Sequence, residues 1–122
     1  MMTTVWIAVA GSAGAMARFV LDGVVKHRRT SQFPWATLVI NVTGSFLLGV
    51  VTGVVLFHGA ARELELIVGV GFCGGYTTFS TASFETVRLI QNQHYTAAAA
   101  NAFGSLLITL AAGGAGLALT GL

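Results

Sequence analysis

This chain is short of charge. Of 122 residues only 8% are Asp, Glu, Lys or Arg, six basic and four acidic. A soluble domain carries about a quarter, so these side chains cannot cover a water-exposed surface. The net charge of +2 comes from scarce carboxylates and not from a basic stripe, which leaves nucleic-acid binding without support. The single cysteine excludes a disulfide framework or a CxxC zinc site within one chain. Proline also occurs once. Apolar residues make up 55% of the chain, which excludes disorder. What remains is a small integral membrane protein of one domain, with no linker or soluble appendage.

A membrane-crossing helix needs about 20 mostly apolar residues. Four segments supply them, at approximately 5–25, 35–57, 66–90 and 95–120. The first contains Arg18 and Asp22; the second, the fourth and the stretch 66–84 of the third hold no charge. Four helices buried in a soluble bundle would show a polar face every 3.6 residues, and the second and fourth show none. Ala8-Val9-Ala10 resembles a signal-cleavage box, but there is no basic stretch ahead of it and the apolar run before it is short. The N-terminus is therefore expected to belong to the first span. Trp6, Trp35, Phe57 and Tyr95 fall near span ends, where aromatic belts sit.

The basic residues gather on one side. The loops 26–34 and 91–95 share that side, with Lys26, Arg28, Arg29 and Arg88, and Arg18 lies near it. The other side holds Arg62 alone. Cytoplasmic loops are enriched in Lys and Arg, so both termini are expected outside and those two loops inside.

Polar groups inside a bilayer usually face a protein interior or a water path. Thr37, Asn41 and Ser45 recur every four residues on the second span, and Asn101, Ser105 and Thr109 do so on the fourth. Each set forms one stripe. Such stripes either line a passage or act as hydrogen-bonding glue between packed helices. The third span carries Gly71, Gly74 and Gly75 at mid-membrane, followed by Thr77, Thr78, Ser80, Thr81 and Ser83. Glycine costs about 1 kcal/mol in a helix interior, so a break near residues 74–78 is expected. Backbone freed at that depth must be buried in protein or line a cavity; its carbonyls would suit a cation. The competing reading is close packing, with Gly71-xxx-Gly75 as a small-residue face, as for Gly49-xxx-Gly53 in the second span.

Gly69-x-Gly71-x-x-Gly74 matches the dinucleotide pattern but has no strand before it and no βαβ unit. His27, His58 and His94 are too scattered for a ligand set, and Cys73 has no nearby base. Asp22 is placed to pair with Arg18, and Glu85 with Arg88. No enzymatic chemistry emerges.

Three stretches in order carry a resemblance: GSAGAMARF (11–19), WATLVINVTGSFLLG (35–49) and GFCGGYTTFSTASFE (71–85). Together they resemble the Fluc (CrcB) family of fluoride-specific channels, the third most specifically. The resemblance implies an all-α membrane protein of four transmembrane helices, the third broken near its middle, paired as an antiparallel dimer. It further implies passive export of cytoplasmic fluoride across the cell inner (plasma) membrane and two pores along the subunit interface. A structural sodium ion (Na+) that is not transported would be held by the carbonyls of Gly74 and Thr77 from each subunit. By motif position, Asn41 is the pore asparagine, Phe79 the first ring of an aromatic box, Ser105 and Thr109 the fourth-helix track, and Arg18 a vestibule charge. Asn41, Thr37, Ser80, Ser105 and Thr109 can donate hydrogen bonds to an anion, and Phe79 can turn a positive ring edge to it.

Two positions depart from that pattern. Ala82 stands where the second box phenylalanine is expected, and Asn101 where a tyrosine is common. The partner is therefore either a second copy or an oppositely oriented paralogue able to restore the missing rings; the one-sided loop charge favours the paralogue. Two other functions compete with this one. A small proton-coupled multidrug exporter needs a carboxylate within the first helix, and only Asp22, near its end and close to Arg18, is there. A non-conducting subunit of a heterodimeric fluoride channel is the other, and the Ala82 departure speaks for it.

Overall fold

The computed structural model describes residues 1–28 and 33–122; Arg29, counted above among the loop charges, lies outside them. Every regular element among the described residues is helical. Helix α1 spans Met2–Arg28 and α2 spans Trp35–His58. A helical run over 62–76, here α3, is wound as a π-helix through Glu65–Cys73. Helix α4 spans Ser80–Gln91. The last helix, α5, covers Tyr95–Gly121, with π-helical winding at Ala100–Gly104.

The ends follow from local chemistry. Lys26, His27 and Arg28 occupy the last turn of α1, where positive charge meets the negative end of the helix dipole. Helix α2 stops at Gly59, whose φ of 68° is left-handed and whose amide returns to Val54 O. Glycine takes that conformation without a Cβ penalty. The turn after α4 has no such residue: Gln93 sits at φ 64°. A side chain there costs about 1–2 kcal/mol. Gln93→Gly is therefore expected to stabilise the chain by about 1 kcal/mol, read as a raised thermal midpoint in detergent.

Two glycine seams hold the helices together. On α3, a Cβ at Gly75 would collide with the Gly11 carbonyl, and one at Gly71 would come within 2.9 Å of Ile7 O. On the facing helix, a Cβ at Gly14 would strike Phe72 O. The second seam joins α2 to α5: Gly49 meets the Gly113 carbonyl, Gly53 meets Thr120, and Gly116 meets the Phe46 carbonyl. In both seams later residues of one helix meet later residues of the other, so each pair runs parallel. Close backbone approach of this kind supplies the van der Waals contact that binds helices in lipid. His58 Nε2, 2.7 Å from Thr120 O, closes the end of the second seam.

The core is small, built around Ile40 with Ala36, Val51, Cys73, Tyr76, Leu89 and Ala98. Large apolar side chains such as Val9, Phe19, Val70, Phe103 and Leu107 point outward. Three helices, Met2–Arg28, Trp35–His58 and Tyr95–Gly121, are long and apolar enough to cross a membrane. Neither α3 nor α4 reaches that length alone: at 1.5 Å per residue they extend about 22 and 18 Å, against about 30 Å of hydrocarbon.

Candidate functional site

The site begins where α3 stops. Thr77 is extended, with ψ 160°, and helical geometry resumes at Ser80. The freed backbone groups find side chains. Asn41 on α2 donates from Nδ2 to Thr78 O at 2.9 Å and accepts the Thr78 amide on Oδ1 at 2.8 Å. Its amide thus imitates a peptide partner. Thr78 Oγ1 accepts the Thr81 amide at 3.1 Å, as a helix-capping hydroxyl does. Both amides are those that would ordinarily reach the carbonyls of Gly74 and Thr77 four residues back. Those two carbonyls are left without them.

A groove of about 580 Å³ opens beside this break. Asn41 and Ser45 line it from α2, Phe79 from the break, Ala82 and Ser83 from α4, and Asn101, Ser105 and Thr109 from α5. No lining residue is charged. Asn41 and Ser45 of the first stripe and all three members of the second therefore converge on one cavity, and they divide between the two roles left open by the sequence. Asn41 and Asn101 bond across helices as glue. Ser45 and Thr109 line the groove with no side-chain hydrogen bond to another described residue. Ser83 does the same. It lies four residues beyond Phe79 on the same helix face, a period that could have revealed it.

Residues 5–117 match a family model described as CrcB-like protein, Camphor Resistance (CrcB). The chain belongs to the CrcB family. A relative in Leifsonia xyli subsp. xyli, named fluoride-specific ion channel FluC 1, is 53% identical over 116 residues, covering 95% of this chain and 85% of that one. A FluC 1 of Streptomyces avermitilis is 44% identical over 114 residues, 92% of each chain. A FluC of Pyrococcus furiosus is 42% identical over 105 residues, 85% of this chain and 84% of that one. With its apolar helices, this CrcB-family chain is a multi-pass, all-helical membrane protein.

Several residues singled out from the CrcB resemblance lie elsewhere. Thr37 is buried and donates to Glu85 Oε1 at 2.6 Å; it does not line the groove. Ser80 is exposed, 3.4 Å from Thr78 Oγ1, and does not line it either. Gly74 lies at the end of α3, where a Cβ would meet nothing within 4 Å beyond its own turn, whereas Thr77 does line the groove. Arg18 is half-buried on α1; its Nε has no hydrogen-bond partner among the described residues.

Two expected ion pairs are corrected. Asp22 joins Lys26 at 3.1 Å and not Arg18. An acid four residues ahead of a base is the better helical order. Glu85 takes the Thr37 hydroxyl, while Arg88 lies 5.8 Å from the centre of the Phe84 ring. Lys26, Glu85, Arg88 and His94 edge a second cavity of about 480 Å³ at the loop end.

Proposed function

We propose that this chain is a subunit of a passive fluoride channel, and that the uncharged groove is one wall of its pore. The observation that carries this reading is the convergence of Asn41, Ser45, Thr109 and Phe79 on a cavity without a single charged side chain. Fluoride holds its water tightly, so a pore must replace hydration with close donors. Asn41 keeps one amide hydrogen after bonding Thr78, and the hydroxyls of Ser45 and Thr109 are free to turn toward an ion. A fixed cation would hold the ion too long, since conduction requires binding weak enough to leave. The names of the relatives agree with this reading. No reaction is catalysed; the ion moves down its gradient, out of the cytoplasm.

The groove is open along one side, and Phe79 is 86% exposed. A second subunit inserted upside down would cover both and supply the unmet partner of Arg18 Nε. Helices α3 and α4 in series would form the third of four membrane crossings. The Gly74 and Thr77 carbonyls, stripped of their helical donors and with open space at the Gly74 Cα, suit a bound sodium ion shared with the partner's equivalents. Such an ion would offset the anion-repelling carbonyl charge at the break. The one-sided Lys and Arg distribution favours the loops 26–34 and 91–95 in the cytoplasm and the termini outside, and export of cytoplasmic fluoride calls for the plasma membrane. The same distribution also favours an oppositely inserted homologue over a second copy, and Ala82 points the same way.

The test is reconstitution into liposomes loaded with fluoride, with release followed by a fluoride electrode. Fluoride release, without chloride release and without a pH gradient, is expected when the chain is combined with an oppositely charged-loop homologue. Equal release by the chain alone would identify a self-paired channel. Uptake of a cationic drug driven by protons would instead identify an exporter.

A further inference from the structure

Asn101 is 2% exposed at the junction of α4 and α5. Its Nδ2 donates to Thr86 Oγ1 at 2.7 Å and to Ala82 O at 3.3 Å. Its Oδ1 accepts the Ser105 hydroxyl at 3.1 Å. Thr86 in turn donates to Ala82 O at 2.9 Å. The direction of this network is fixed. Ala82 O can only accept, so turning the Asn101 amide over would set two acceptors against each other. A hydroxyl carries one hydrogen, and that of Ser105 goes to Asn101. Ser105 therefore shows the groove its lone pairs. Thr109, one turn further along α5, faces the same groove with its hydrogen unassigned.

We propose that Asn101 is a positioning residue that withholds the Ser105 hydrogen from the anion, weakening one step of the track. The inference rests on the fluoride reading of the groove. An uninterrupted ladder of donors would bind a dehydrated ion tightly and release it slowly. A rung whose hydrogen is held back leaves the ion a place from which to depart. To be bound at Ser105, fluoride must first draw the hydroxyl off Asn101.

The experiment is a double-mutant cycle on liposome efflux, at fluoride well below half-saturation, in whichever reconstitution conducts. Asn101→Leu, nearly isosteric, removes the acceptor. It is expected to raise low-fluoride flux about fivefold, the equivalent of one intramolecular hydrogen bond of about 1 kcal/mol. In a Ser105→Ala background the same change is expected to leave flux unaltered. Equal fold-changes in the two backgrounds, or a fall in both, would show a merely structural asparagine and overturn the proposal. A second comparison needs no change at Asn101. Ser105→Ala is expected to cost at least threefold less low-fluoride flux than Thr109→Ala, and an equal or greater cost would also overturn it. Absence of fluoride flux from the unaltered chain, alone and with an oppositely inserted homologue, would instead defeat the channel reading itself.

Discussion

Leucine at Gly75 is expected to abolish the folded chain, whereas leucine at Gly74, one residue earlier, leaves it folded and silences it. At Gly75 even a Cβ meets the carbonyl of Gly11, and backbone cannot step aside as a flexible side chain can. One superfluous methylene in a packed interior costs about 1–3 kcal/mol, and leucine adds several. Monodisperse protein should be lost, as judged by size exclusion in detergent. At Gly74 no described residue beyond its own helical turn lies within 4 Å of the added Cβ. Any penalty there must come from outside the chain, from an inverted partner and the cation proposed between them. Gly74→Leu should therefore keep its helical signal while dimer mass and fluoride efflux fall, the latter at least 100-fold. A conducting Gly74→Leu dimer would remove the central ion from the account.

The second large effect separates Asn41 from Phe79. Phe79→Ile should lower fluoride efflux at least tenfold with no change in thermal midpoint. The ring makes little contact inside its own chain, so its loss removes only a positive edge from the groove. Asn41→Ala should lower efflux and stability together. It leaves both the amide and the carbonyl of Thr78 without a partner, each at about 1–3 kcal/mol when buried. Unchanged flux in both variants would take these residues out of the pore.

The helices were legible because hydropathy and length are local properties, and the two stripes because a four-residue period marks one face. The glycine cluster at 71–75 contains two kinds of position, and only packing tells them apart. Gly71 and Gly75 press on α1, while Gly74 faces open space. The double bond from Asn41 to Thr78 joins residues 37 positions apart and depends on where α3 stops, which no spacing encodes. Thr37 follows the same logic. Its place in the stripe was visible, but Glu85 reaches it from another helix and takes the hydrogen that an anion would need. Asp22 had a basic residue four places to either side. The sequence offered both partners, and the preference for acid before base would have decided correctly.

The two glycine seams also differ in when they can close during synthesis. Helix α1 can meet the 62–76 run before α4 and α5 are made, but α2 must wait for α5. Until then its bare glycine face stands in the bilayer with no mate, open to whatever helix drifts past. A nascent partner inserted beside it would find that flank unguarded, so the interval before α5 arrives is the one in which this seam is open to a wrong mate.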